Sequence, residues 1–281
     1  MIRALGVLCE QPGHVSDGIA SLLGLGPPDP VDHTELFVHQ LPPYASIYLG
    51  SQGKIGGDAR ERIAGFWRAL GMTPPVEPDH LAALLGLWAT LIDVASDQTE
   101  PARRLLVDHS LVALIWEHLA SWLYPYLARV ADIGVEPYPS WAGMLQTLIT
   151  RAPGPEPADR ALPRHFDTEP EPGSDDLVDL VLTPVKSGII LTRADLKRAA
   201  TDLGLGLRIG ERVFALRSLL DQDHQPVVEW LAREARRQAD TLDGMPGPNV
   251  LTSHWASRAR ITASSLEGLL AERQPANLPW I

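Results

Sequence analysis

The chain has 281 residues, 45% of them hydrophobic, with 24 basic against 35 acidic side chains and a formal net charge of -11. That length and apolar content supply one sizeable core and material for a smaller second unit, while the acidic balance argues against nucleic acid and favours a basic peptide as partner. The single cysteine, Cys9, excludes an internal disulfide framework and a thiolate-rich metal site, and reads as a small core residue.

In chain order, Met1 to Leu8 carries one arginine and a brief apolar run cut off by Glu10 and Pro12. It lacks the apolar region and small-residue cleavage site of a secretion signal, so a cytoplasmic location is expected. Ser16 is placed to cap a short helix ending at Gly24, and Pro30 to open one running to His39. Ile63, Phe66, Trp67 and Leu70 give an amphipathic helix that Gly71 ends. From Leu81, the series Leu84, Leu85, Trp88, Leu91, Ile92 and Ala95 keeps a helical spacing on one face. Leu105, Val112, Trp116, Leu119, Leu123, Leu127 and Val130 repeat it, with Pro125 expected to kink or divide the helix. Neither apolar stretch qualifies as a membrane span, because both carry charged residues or proline and the first is too short.

Between Arg151 and Asp176, prolines such as Pro153, Pro155, Pro170 and Pro172 alternate with carboxylates, which reads as an exposed linker. Beyond it, Thr192 and Asp195 predict a capping box before Leu196, Ala199, Ala200 and Leu203. Pro226 suits a first helical position before Val227, Leu231 and Ala235, and Trp255, Ala259, Thr262, Leu266 and Leu269 form a last stripe. The β-branched content of Leu177 to Leu191 and Leu205 to Phe214 permits a short hairpin there. The expected organisation is all-α, with a helical domain over 1–150, a linker over 151–175 and a C-terminal helical extension over 176–281.

Enzyme signals fail on spacing. Gly50-Ser51-Gln52-Gly53-Lys54 lacks the four-residue spacer and the hydroxyl residue of a phosphate loop. Gly204, Gly206 and Gly210 lack the spacing and βαβ setting of a dinucleotide fingerprint. Glu77 and His80 have the Glu-x-x-His spacing of di-iron bundles, but no second pair exists. His118 reads as a surface or core histidine, and no serine sits in a nucleophile elbow. The expectation is therefore no catalytic residue, no metal, no cofactor and no enzyme.

Two segments break local rules. In Pro42-Pro43-Tyr44-Ala45-Ser46-Ile47-Tyr48-Leu49-Gly50, the spacing groups Tyr44, Ile47 and Tyr48 into one apolar patch with hydroxyl rims, either core packing or a platform for an apolar peptide. In Glu77-Pro78-Asp79-His80, Pro78 fits a first helical position and the carboxylates suit the helix dipole. His80 does not suit it as an imidazolium, and is more natural there as a hydrogen-bonding device.

These residues carry a resemblance. Tyr44-x-x-Ile47-Tyr48-x-Gly50 followed by Glu77-Pro78-Asp79-His80 is similar to the signature of the TorD/DmsD-like redox-enzyme maturation chaperones, which include the nitrate reductase delta-subunit type. The likeness runs from Leu36 to Ile149 and departs mildly at Ile47 and Tyr48, where the motif often has Leu and Phe. Residues from Arg151 onward exceed the family's usual length. The resemblance implies a TorD-like helical bundle that binds the twin-arginine leader and the apo catalytic subunit of a molybdopterin-dependent oxidoreductase. It assists cofactor insertion and proofreading before export. By carry-over, the leader site comprises Tyr44, Ile47, Tyr48, Asp79 and His80; Glu77 and Trp88 join them as an acid for the leader's arginines and an apolar wall. A homodimer is left open. The competing functions are a guanine-nucleotide-binding hydrolase and a structural assembly subunit of a respiratory complex.

Overall fold

The computed structural model describes residues 1–154, 161–166, 176–208 and 210–273. Much of the segment expected to form the linker, and the end of the C-terminal extension, therefore lie outside the described residues. Among those described there is no strand, only one isolated antiparallel bridge between Tyr44 and His80.

Helices α1 (Ile2–Val7), α2 (His14–Leu22) and α3 (Pro30–His33) open the chain, and α3 continues as a π-helical turn over Thr34–Gln40. Then come α4 (Ala45–Leu49), α5 (Gly57–Ala69), α6 (Leu81–Asp97) and α7 (Pro101–Ala113). A second π-helical stretch, Leu114–Ala120, leads into α8 (Ser121–Ile133), followed by α9 (Tyr138–Thr150). After a 3-10 turn at Arg164–Phe166 the chain forms α10 (Leu177–Leu182), α11 (Pro184–Ser187), α12 (Arg193–Leu203), α13 (Arg212–Gln222), α14 (His224–Asp243) and α15 (Asn249–Arg273).

Several local expectations are corrected. Ser16 sits in the first turn of α2 rather than capping it; its hydroxyl accepts from the backbone N–H of Gly13, the actual cap, at 2.7 Å. Pro226 is the third residue of α14. Ile92, Leu105 and Leu269, read as parts of buried stripes, are exposed. No hairpin forms among the described residues of the stretches 177–191 and 205–214. Asp176 caps α10 by accepting from Val178 N–H at 2.9 Å, and burial of Val178 and Val181 outweighs their β preference. The extended residues after α11 satisfy their backbone without a strand partner, because the Gln238 amide accepts from Ile190 N–H at 2.9 Å and donates to its carbonyl at 3.2 Å.

Pro125 lies inside α8 and cannot donate to the Ser121 carbonyl four residues back. The π-helical stretch precedes it, and the freed carbonyl accepts instead from the Trp255 indole of α15 at 2.8 Å. Trp122 and Trp141, both fully buried, likewise donate to the carbonyls of His118 and Leu5 at 2.9 Å each. A buried indole without such a partner would cost about 1–3 kcal/mol.

The helices after Asp176 pack on those before Thr150: α11 on α4, α14 and α15 on α8, and α12 on the first π-helical turn. A buried ionic lattice ties the two parts. Arg129 of α8 donates through one guanidinium nitrogen to both carboxylate oxygens of Asp195 of α12 at 2.7 Å, and through the other to Asp132. Asp195 also receives Thr192 N–H in the expected capping box at 2.8 Å, and Arg198 at 3.1 Å. Arg198 and Arg237 both donate to Glu234 of α14, at 2.6 and 2.8 Å. Three guanidiniums face three carboxylates, so the buried charge is balanced.

Candidate functional site

The site begins with the way two loops are pinned together. Gly71, with φ +74, ends α5 and turns the chain into a proline-rich return. Trp67 and Arg60 of α5 hold that return by donating to the carbonyls of Pro78 at 3.3 Å and Val76 at 3.0 Å. The return then pairs with the segment before α4: Ala45 N–H donates to the Asp79 carbonyl at 3.0 Å, and Leu81 N–H to the Pro43 carbonyl at 2.8 Å.

Within this strap Asp79 and His80 have separate tasks. The N-cap residue of α4 is Tyr44, which offers no capping side chain, and the buried Asp79 carboxylate supplies the cap by accepting from Ser46 N–H at 3.2 Å. His80 is itself the N-cap of α6, its Nδ1 accepting from Ala82 N–H at 3.2 Å. Helix α6 thus begins at Leu81, and Pro78, expected at a first helical position, lies in the loop before it. Burial lowers the His80 pKa, against the pull of Glu77, Glu10 and Asp79, and the ring caps the helix as a neutral acceptor. That resolves the awkward histidine: only an imidazolium would oppose the dipole.

Tyr44 stands at the edge of the strap. Its ring meets His80 edge-on with centroids 4.9 Å apart, and its hydroxyl donates to Glu77 Oε1 at 2.8 Å. Desolvation, then the Glu77 contact, pushes the phenol pKa up to about 12, so Tyr44 remains a donor. Beside it opens a cavity of about 870 Å³ lined by Glu10, Val38, Tyr44, Ile55, Val76, Glu77 and His80 among others. Val38, Ile55 and Val76 are 58%, 60% and 89% exposed, an unusual apolar display around a polar centre. Neither Glu10 nor Glu77 has an ion-pair partner among the described residues, and no lysine or arginine lines the cavity.

The expected site residues are therefore distributed. Tyr44, Glu77 and His80 come together at the cavity, with Asp79 directly behind them. Ile47 lines a different cleft with Tyr48, on the far side of Pro42. Tyr48 is fully buried, stacked on Trp122 at 5.2 Å with its hydroxyl on the Pro42 carbonyl at 2.9 Å. Tyr44, Ile47 and Tyr48 thus do not form the single patch expected from their spacing, since Tyr44 precedes α4 and points away from the other two. Trp88 is a core residue of α6, 3% exposed. Glu10, Ile55 and Val76 were not read from the sequence as site residues; only the tertiary packing of α1 against α6 brings Glu10 near Glu77.

Among the described residues no group of histidine, cysteine and carboxylates is disposed to hold a metal ion, and no helix is long and apolar enough to cross a membrane. The fold and this rim define a helical scaffold that presents an acid-flanked apolar surface. Residues 30–128, a little over a third of the chain, match the family model of the nitrate reductase delta subunit, a family of molybdoenzyme maturation chaperones. Both strap segments fall inside the matched stretch. No curated protein and no solved structure shows a significant match.

Proposed function

We propose that this protein is a cytoplasmic chaperone that binds the leader peptide and apo form of a molybdopterin-dependent catalytic subunit. It holds the precursor while cofactor is inserted and proofread before twin-arginine export. The observation that carries this reading is the cavity beside Tyr44, where exposed apolar side chains surround two carboxylates that have no cationic partner among the described residues.

In this reading the leader's apolar stretch lies on Val38, Ile55, Val76 and the Tyr44 ring, as a helix in a groove. Its arginines meet Glu77 and Glu10, where a shielded charge-assisted bond contributes about 1.5–3 kcal/mol and an exposed pair about 1 kcal/mol or less. Apolar burial therefore supplies most of the affinity and the acids select the sequence. Asp79 and His80 position the rim, while Tyr48 and Trp88 support it from the core. Residues 1–150 hold the site, and helices α12 and α14 brace it through the Arg129 lattice.

Titration calorimetry with a peptide of two adjacent arginines followed by an apolar run tests the reading. Tyr44→Ala is expected to weaken binding about tenfold or more, equivalent to ~1.4 kcal/mol. Glu77→Gln is expected to reduce binding of that peptide but not of its lysine-free, arginine-free analogue. Unchanged affinity in both variants removes this rim from the site.

A further inference from the structure

A second large cleft, of about 760 Å³, lies on the other side of Pro42 from the Tyr44 rim. It is walled by the loop between α4 and α5 and by α10, α11 and the first residues of α12 and α13. Four cations line it: Lys54 from the loop, Lys186 of α11, Arg193 of α12 and Arg212 of α13. Only Asp179 and Glu211 are there as acids, and none of the six charged groups has an ion pair among the described residues. In a chain of net charge -11 this is a local reversal of sign.

The cleft is built. Gly53, with φ +61, lets the loop press against α10, where an added Cβ would come 2.8 Å from the Leu182 carbonyl; this seats Lys54 at the cleft edge. Arg212 is oriented by donating to the Leu191 carbonyl at 2.7 Å. Val38 and Pro42 line both this cleft and the Tyr44 cavity, so the two are continuous. Along that path the surface runs from carboxylates at Glu10 and Glu77, over apolar Ile55, Val38, Pro42 and Ile47, to the four cations. A compact anion would occupy one end alone; an extended chain of matching charge order uses the whole groove.

We infer that the Lys54–Arg212 cleft receives carboxylate side chains of the bound polypeptide that follow its apolar stretch. The peptide then runs with its arginines at Glu77 and its later, acidic residues at Lys54 and Arg193. This inference rests on the reading of the Tyr44 rim as a leader site.

Three synthetic peptides test it on the full chain: arginine pair plus apolar run, the same with an aspartate-rich tail, and the same with a serine-rich tail of equal length. The acidic tail is expected to tighten binding about tenfold at low salt, and the gain to fade at high salt, as for two or three exposed ion pairs. The variant Lys54→Glu/Arg193→Glu should abolish that gain while binding the untailed peptide like wild type. Both residues are exposed and make no ion pair among the described residues, and a glutamate at the first position of α12 suits its dipole, so the fold is retained. Equal binding of the acidic and serine tails, with the untailed peptide still bound, overturns the inference and leaves the leader reading standing. Failure of all three peptides to bind overturns the reading and the inference with it.

Discussion

Asp79 offers the sharpest test of how the strap works. Its carboxylate is 1% exposed and stands in for the capping group that Tyr44 cannot provide, accepting from Ser46 N–H at 3.2 Å. Asp79→Ala removes a charge-assisted hydrogen bond, about 1.5–3 kcal/mol, and a favourable charge at the start of α4, about 0.3–1 kcal/mol. The sum is a loss of roughly 2–4 kcal/mol, a large part of a typical stability of ~5–15 kcal/mol but one that leaves the chain folded. Asp79→Asn keeps an acceptor oxygen in place and loses mainly the charge, so its cost is about 0.5–1 kcal/mol. The two bridge hydrogen bonds are backbone and survive in both variants. Urea unfolding followed by far-ultraviolet circular dichroism measures the difference. A cost below about 1 kcal/mol for alanine, or equal costs for the two variants, would refute the assignment of Asp79 as the cap of α4.

The lattice between α8, α12 and α14 predicts that Asp195→Ala destabilises by about 3–5 kcal/mol, because Arg129 is left buried with its main counter-charge gone. A loss within the range of surface substitutions would contradict this. Acidity should also weaken the fold. Burial holds His118 down to about 4, and burial with repulsion from His118 and Arg62 holds His165 down to about 3, against an ordinary 6.5. As pH falls below about 6.5 the unfolded chain takes up protons that the folded chain refuses, so stability is complete above that pH and declines from there toward 4. The urea midpoint should therefore drop between pH 7 and pH 5. His118→Gln/His165→Gln should flatten the dependence without abolishing it, since His33, His80 and His254 are also held low by burial. An unaltered slope in that variant would show that the pair does not titrate with unfolding.

Much of the helical framework was legible because it rests on short-range rules. The apolar spacing of Leu84, Leu85, Trp88 and Leu91 marks α6, Gly71 ends α5, and Thr192 with Asp195 begins α12 with both capping bonds formed. The short hairpin that the β-branched content of 177–191 and 205–214 permitted does not form among the described residues, because such residues report a half-buried surface rather than a strand, and here that surface is met by helices. The π-helical stretch before Pro125 was signalled only as a kink; its form depends on Trp255, 130 positions downstream, taking the freed Ser121 carbonyl. At the site, the sequence located both strap segments but not which side chains face outward. Asp79 and His80 leave a tight turn, closed by His80 N–H on the Glu77 carbonyl at 3.3 Å, that sends one under α4 and the other beside Tyr44. Tyr44 and Tyr48 have helical spacing, yet the helix starts only after Tyr44, so periodicity could not place them on one face. Glu10 joins the rim through packing that no local pattern encodes.

The most direct test of the central claim is contact. A photoreactive phenylalanine analogue introduced at Tyr44, in cells producing the client precursor, should cross-link to the precursor's leader peptide. It should not cross-link to the mature enzyme from which the leader has been removed. The same analogue at Leu105, an exposed position on α7 and outside the Tyr44 cavity, should give no leader adduct. A leader adduct at Leu105 but none at Tyr44, or equal labelling of precursor and mature enzyme from Tyr44, would contradict the account.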